Sequence, residues 1–300
     1  MSDSEQQDVP EYWLRNSNER IRMLRYFVRE QPITAQRLLP EYPSEPKIGA
    51  VIGTYGCVPY VDLNLHYLIN VNHIPVLVHD DCSTSRDELL ELCKRYHPHA
   101  CLFTPTHKLW HQPGVGSIGD TSCFLVGLNW ANQMKLDILV KFSRRFVCVS
   151  EFATKLRKLA LDSDAFTFGL DCPRYHHPLR TECMAMNVRI WGDLWVCHRL
   201  NAAVQRQVPL FADFWFNDMA RTIAYYNGSA KYRKFMKQLN RGPMFDAYVP
   251  WPDLTGPSRY EKNPNALWHQ SNLPEDYAAA ADKVFPGRYT AADFKNVPGI

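Results

Sequence analysis

The run Pro75-Val76-Leu77-Val78-His79-Asp80-Asp81-Cys82-Ser83-Thr84-Ser85 closes a short β-branched stretch with two adjacent carboxylates and a set of hydroxyl and thiol side chains. A carboxylate accepts hydrogen bonds and donates none. At the carboxyl edge of a buried strand such a pair suits the hydroxyls of a ribose or the edge of a base. The same residues also read as an Asp/Ser turn that caps the next helix. What precedes them favours the first reading. Lys47 to Tyr55 is another apolar run, bounded by Pro46 and Gly56, and after Pro59 it leads into Val61, Leu65, Leu68 and Ile69 at helical spacing. Strand, helix and strand therefore follow one another, the first strand ending at Thr54 and Tyr55 and the second at Asp80 and Asp81.

Basic residues form a second candidate group. Residues 141–158 hold Lys141, Arg144, Arg145, Lys155, Arg157 and Lys158 against Glu151, and Lys231, Arg233, Lys234, Lys237 and Arg241 form another run. Both can face anionic phosphates or be solvated helix faces. The formal net charge of +3, from 34 basic and 31 acidic residues, makes no global case for a nucleic-acid partner. Nine cysteines with no Cys-x-x-Cys suggest neither a disulfide framework nor a zinc ribbon. Cys101 and Cys148 read as small core hydrophobes in a reducing compartment. His97, His99, His107 and His111 match no metal motif. No apolar stretch of signal-peptide type and no run of about 18 apolar residues is seen, which predicts a soluble, cytoplasmic protein.

These groups must be positioned by the surrounding elements. Residues 1–46 read as a helical segment and linker. Trp13 to Glu30 is predicted as a helix whose stripe of Leu14, Ile21, Leu24, Phe27 and Val28 is surrounded by arginines. Such a helix packs on its own domain or lies peripherally on an anionic membrane through residues 13–30. Prolines 32, 40, 43 and 46 mark the linker. Further helices are predicted over Arg86 to Tyr96 and Thr121 to Met134, and strands over Ala100 to Phe103, Leu136 to Phe142 and Ala165 to Gly169. Ser150 is the expected cap of the helix that follows it. Alternation of this kind predicts an α/β fold, a mostly parallel sheet flanked by helices, over residues 47–230. Residues 231–300, rich in Pro and aromatics, read as an extension wrapping that domain. Gly114-Val115-Gly116-Ser117-Ile118-Gly119 has dinucleotide-fingerprint spacing but follows a loop where that fingerprint needs a strand, and Asp137 begins a strand where it should end one.

Thr54-Tyr55-Gly56 and Asp80-Asp81-Cys82-Ser83 resemble the strand ends of the GT-A (Rossmann-like) glycosyltransferases, especially the large inverting glycosyltransferase family 2, over about residues 47 to 230. The resemblance implies that Thr54, Tyr55, Asp80 and Asp81 seat a nucleoside. In that family the next helix leads to a strand carrying Asp-x-Asp, which holds a divalent cation across the donor diphosphate. Here the strand reads Asp137-Ile138-Leu139-Val140-Lys141-Phe142-Ser143-Arg144-Arg145, with Lys141 and Ser143 where the two acids would stand. Lysine offers no oxygen ligand and repels a cation. The departure implies no metal cofactor, with Lys141, Arg144 and Arg145 neutralising the diphosphate. The alternative is that Lys141 snorkels, the arginines are surface charges and activity has been lost.

Inverting transfer also needs a carboxylate to take the acceptor's proton. Asp213, in Pro209-Leu210-Phe211-Ala212-Asp213, resembles the second acid of the family's Glu-Asp pair, with Ala212 in place of the Glu. Glu182, just before an apolar strand, is the competing base. His269, in Leu267-Trp268-His269, resembles a tail histidine near the diphosphate. The implied function is transfer of a sugar from a nucleotide-diphosphate donor to a glycan or lipid-linked acceptor, with inversion and without metal. A non-catalytic scaffold that binds nucleotide or glycan is the rival reading. A nucleotidyltransferase is disfavoured because Gly53-Thr54-Tyr55-Gly56 is not the Gly-rich, Lys-containing loop that chemistry uses.

Overall fold

Gly49, Val51 and Gly53 alternate along one face of strand β1 (Ile48–Thr54), and the glycines let a helix lie close against it. In the computed structural model that helix is α3 (Ile118–Gln133), beginning at Ile118 where the sequence pattern suggested Thr121. A Cβ on Gly53 would sit 3.1 Å from Cys123 Sγ, and one on Gly127 of the helix 2.7 Å from Val51 Cγ1. The structure describes residues 42–106, 118–162, 167–170, 180–191, 249–250, 264–269 and 271–295. The helix expected over Trp13–Glu30, most of the Gly114–Gly119 run, the basic residues 231–241 and Asp213 lie outside them.

From β1 the chain passes through α1 (Val58–Leu65), a π-helical turn (His66–Val71), β2 (Val76–Asp80), α2 (Arg86–Arg95) and β3 (Ala100–Phe103). After α3 come β4 (Ile138–Ser143), β5 (Phe146–Cys148), α4 (Ala153–Asp162), β6 (Thr167–Leu170), β7 (Arg180–Asn187) and the short α5 (Val188–Trp191). Strands β8 (Val249–Pro250) and β9 (Ala266–Trp268), helix α6 (Pro274–Val284) and a 3-10 turn (Ala291–Phe294) complete the described elements.

The main sheet has the order β3-β2-β1-β4-β7-β6-β8. Strands β3, β2, β1 and β4 are parallel to one another, and β7 runs against both β4 and β6. The chain builds outward from β1 through β2 to β3, then returns to place β4 on the other side of β1. The switch point thus lies between β1 and β4, and the carboxyl ends of those strands border the crevice where open α/β sheets take ligands. One face is covered by α1, α2 and α4, which bury Val61, Leu65, Leu89, Leu92, Leu156 and Ala160 against Ile52, Val78 and Val140. The opposite face carries α3, with Phe124 packed edge-on against Trp191.

Two buried polar groups join distant parts of the chain. Asn72 accepts the amides of Phe152 at 2.7 Å and Ala153 at 3.0 Å, and donates to the carbonyls of Tyr67 and Ser150. The helix is therefore capped by an asparagine from another loop and not by Ser150, whose hydroxyl instead meets the Asn265 carbonyl. Asp62, fully buried on α1, accepts from the hydroxyls of Tyr96 and Tyr289 and pairs with Arg288 at 3.1 Å and Arg95 at 3.6 Å. Tyr60 donates to the Phe294 carbonyl. Through these contacts residues 271–295 close over a second core of Tyr60, Leu63, Tyr67, Val147, Leu267 and Tyr277.

Cys148 is buried as expected, but Cys101 is exposed on the edge strand β3. Edge position accounts for this: among the described residues β3 has a strand partner on one side only.

Asn72→Ala removes four hydrogen bonds at a site only 3% exposed and strands two helix amides. A loss of about 2 to 3 kcal/mol of unfolding free energy is expected in urea denaturation, against a few tenths for Ser150→Ala.

Candidate functional site

Parallel register brings the ends of three strands level, Thr54 opposite Asp80 and Gly53 opposite Ser143. Beyond Thr54 the chain turns sharply: Gly56 and Cys57 both have left-handed φ, at 66° and 59°. Asp80 holds that turn. Its Oδ1 accepts the Gly56 amide at 3.1 Å and its Oδ2 the Ser83 amide at 3.0 Å, while the Asp81 amide donates to the Thr54 carbonyl. With both oxygens committed to backbone and no exposure, Asp80 shapes the loops after β1 and β2. Neither it nor Ser85 caps α2 through a side chain. Asp81 is 3% exposed at the same edge, between Thr54 and the left-handed Cys82, whose thiol donates to the Pro105 carbonyl. Tyr55 is half-buried in the turn between β1 and α1.

Arg144 and Arg145 are the two turn residues between β4 and β5. The backbone there is tied from three sides. Arg144 donates its amide to the Gly53 carbonyl, Asn64 of α1 donates to the Arg144 carbonyl at 2.9 Å, and the Tyr277 hydroxyl of α6 donates to the Arg145 carbonyl. Arg144 is 9% exposed, and its Nε is buried without a hydrogen-bond partner among the described residues. Burial pushes its guanidinium below its ordinary pKa, and the neighbouring Arg145 adds to this. Strands β5 and β9 pair antiparallel with Phe146 opposite Trp268, so one further step of that register sets His269 opposite Arg145. Likewise β7 pairs with β4 with Cys183 opposite Phe142, and one further step sets Glu182 opposite Ser143. Glu182 lies within β7, where the sequence reading put it just before the strand.

Lys141 departs from expectation. It sits inside β4 opposite Val51, short of the edge, with its side chain fully buried. Its ammonium donates to Asp120 Oδ1 and to the Thr181 carbonyl, both at 2.6 Å. Burial works to lower its pKa, but the Asp120 carboxylate, together with Cys123 and Glu182, holds it above the ordinary lysine value. The lysine therefore does not stand at the strand edge where a diphosphate would lie. The strand-end residues there are Ser143, Arg144 and Arg145. Asp137, at the other end of β4, accepts the Lys47 amide and takes no part in the site.

Asp120 is the site residue that sequence reasoning missed. In the first turn of α3 an aspartate is read as a dipole-favoured helix acid. The only further signal is that Lys141 falls on the face of β4 shared by Leu139, the face α3 covers. His79 lies on the same side of the sheet, 1% exposed, bonded through Nε2 to Ser122 Oγ at 3.1 Å and stacked on Phe103. Among the described residues no group of three or more His, Cys, Asp or Glu side chains could hold a metal, and no helix is long and apolar enough to cross a membrane.

No family model matches the chain, and no curated protein matches it. Solved structures do. One is the glycosyltransferase GlyE of Streptococcus pneumoniae TIGR4, at 13% identity and a TM-score of 0.41, over 80% of this chain and 50% of that one. Another is S. aureus TarS 1-349 in complex with UDP, at 13% identity and a TM-score of 0.47, over 82% of this chain and 68% of that one. Mouse xyloside xylosyltransferase 1 is similar at 10% identity and a TM-score of 0.38, over 71% of this chain and 99% of that one. The chain spans about half the length of the GlyE chain.

Below the edge, burial pushes the His79 imidazole down to about 4. The unfolded chain takes up this proton near pH 6.5 and the folded one only near pH 4, so stability falls as pH drops through that window. Urea unfolding of the wild type is expected to show a loss of about 2 kcal/mol between pH 7.5 and pH 5 from this group. His79→Asn should flatten that part of the profile.

Proposed function

We propose that this chain is a GT-A-type glycosyltransferase that moves a sugar from a nucleotide-diphosphate donor to a glycan or lipid-linked acceptor. One observation carries the reading. Four buried polar side-chain atoms without a hydrogen-bond partner among the described residues, Ser83 Oγ, Thr104 Oγ1, Ser143 Oγ and Arg144 Nε, all lie at or just beyond the carboxyl ends of β2, β3 and β4. Each unmade bond of this kind costs about 1 to 3 kcal/mol, a cost that a polar ligand along the edge would remove. The chemistry of the row indicates which ligand. Hydroxyls and Asp81 at β2 and β3 suit a nucleoside, and a buried guanidinium beside a second arginine at β4 suits a diphosphate.

In this reading Asp81 and Thr54 receive the nucleoside, and Asp80 and Tyr55 shape and line its loop. Arg144 and Arg145, with His269 opposite the turn, neutralise the leaving diphosphate. Fixed cations stabilise charge that develops on the leaving group in the transition state and need no metal to do so. In the resembled family acids at a strand end hold the metal, whereas this strand ends in Ser143-Arg144-Arg145. The acceptor's proton goes to a carboxylate as its oxygen attacks the anomeric carbon and the bond to the diphosphate breaks, which inverts the centre. Asp213 is the assigned base and Glu182, at the edge opposite Ser143, its alternative. The loss of the metal-binding acids favours a second reading, a non-catalytic module that binds the same nucleotide.

Arg144→Gln keeps hydrogen-bonding capacity and loses the charge. Calorimetry should show nucleoside-diphosphate affinity falling by about 10- to 100-fold, with the free nucleoside bound as before. Binding and transfer should also survive EDTA, and an absolute need for manganese or magnesium would refute the assignment of the arginines.

For the base, Asp213→Asn is expected to lower turnover by about 10² to 10⁴ with donor affinity unchanged. Full activity in that variant together with loss in Glu182→Gln moves the role to Glu182. A wild type that binds donor and transfers to no acceptor supports the binding module.

A further inference from the structure

Asp120 is held in an arrangement that its pairing with Lys141 alone does not require. Its carboxylate spans two environments: Oδ1 is bound to an ammonium with no exposure, yet the aspartate side chain is 30% exposed. Among the described residues Lys141 is its one hydrogen-bond donor. It lies over Gly53, with Oδ1 3.7 Å from where a Cβ on that glycine would stand. Gly53 is also the residue opposite Ser143 and the acceptor of the Arg144 amide. Asp120, Ser143 and Arg144 therefore meet around one backbone position at the switch point, and two of the three carry buried polar atoms without a partner among the described residues.

Position and charge together separate this acid from the nucleoside end. The Arg144 carbonyl is held by Asn64 of α1, whereas Asp120 stands on the α3 face, bound to Lys141, whose ammonium also donates to the β7 carbonyl of Thr181. Asp80 and Asp81 are on the far side of β1, at the end of β2. A donor whose nucleoside lies at β2 and whose diphosphate lies at the arginine turn would bring its sugar to the switch point between β1 and β4, where Asp120 lies over Gly53 and bonds Lys141. An uncompensated carboxylate there would repel the diphosphate. Paired with Lys141, it adds little net charge and still offers acceptor lone pairs to a hydroxyl.

Building on the function proposed above, we infer that Asp120 is the donor-sugar recognition residue, accepting a hydroxyl of the transferred sugar, and that Lys141 is a positioning residue that fixes and neutralises it. The test compares binding of uridine diphosphate with uridine diphosphate–N-acetylglucosamine, and guanosine diphosphate with guanosine diphosphate–mannose, by calorimetry on the full chain. For the nucleotide that binds, Asp120→Asn is expected to raise the ratio of the conjugate's Kd to the bare diphosphate's about tenfold, leaving the diphosphate's own Kd within about twofold.

Because the single variant leaves Lys141 buried without its partner, the double variant Asp120→Asn/Lys141→Met, with no buried charge left, is measured alongside and should show the same ratio. An unchanged ratio, or equal losses for diphosphate and conjugate, in whichever variant folds, would overturn the role of Asp120 and leave the function standing. A wild type that binds none of the four probes would overturn the function, and this inference with it.

Discussion

A lysine ammonium with no solvent exposure sits at the middle of this fold, and most of the site geometry follows from how it is satisfied. Burying an unpaired cation costs several kcal/mol even after relaxation, so Lys141 requires strong acceptors at short range. It finds them on two other elements, the Asp120 carboxylate on α3 and the Thr181 carbonyl on β7. One charge thus fixes the start of α3 against β4 and joins the parallel part of the sheet to its antiparallel strand. Close approach of α3 to β1 is the companion requirement, met by glycine at Gly53 and Gly127.

Above that ion pair the chain places two adjacent arginines in a tight turn, an arrangement that electrostatics opposes. Like charges on consecutive residues raise each other's energy, and burial of Arg144 adds desolvation. The turn persists because its backbone is tied to β1 through Gly53, to α1 through Asn64 and to α6 through Tyr277. Residues 271–295 therefore contribute to the site at a distance, through Tyr277 and through the Asp62 cluster that holds Arg288 and Tyr289 on α1. Groups held in an unfavourable electrostatic state by surrounding structure are characteristic of functional sites.

The two aspartates at the end of β2 illustrate how adjacent identical residues take different tasks. Asp80 spends both oxygens on loop amides from Gly56 and Ser83, which is structural work at the junction of two loops. Asp81 continues the β1–β2 ladder through its amide and keeps its side chain at the edge. The strand's end separates them: Asp80 closes β2 and turns its carboxylate to the loop amides, while Asp81 begins the loop that follows.

Local pattern was enough to read the α/β class and the edge that carries Thr54, Asp80, Asp81, Arg144 and Arg145, because period-two and period-3.6 hydrophobicity and Pro/Gly punctuation are properties of contiguous residues. Asp137 was also legible as lying at the start of β4. Tertiary structure decided what depends on residues far apart in sequence. Ser150 looked like a cap, yet Asn72, some eighty residues before α4, supplies it. Cys101 looked like core, yet its strand is an edge. Lys141 looked like a phosphate ligand, Asp120 lay just ahead of the helix expected from Thr121 and drew no reading, and their bond, across 21 residues, reassigns the first and brings in the second. A sequence shows which side chains carry charge; whether that charge meets solvent, ligand or another charge is settled by the packing that sets burial and distance.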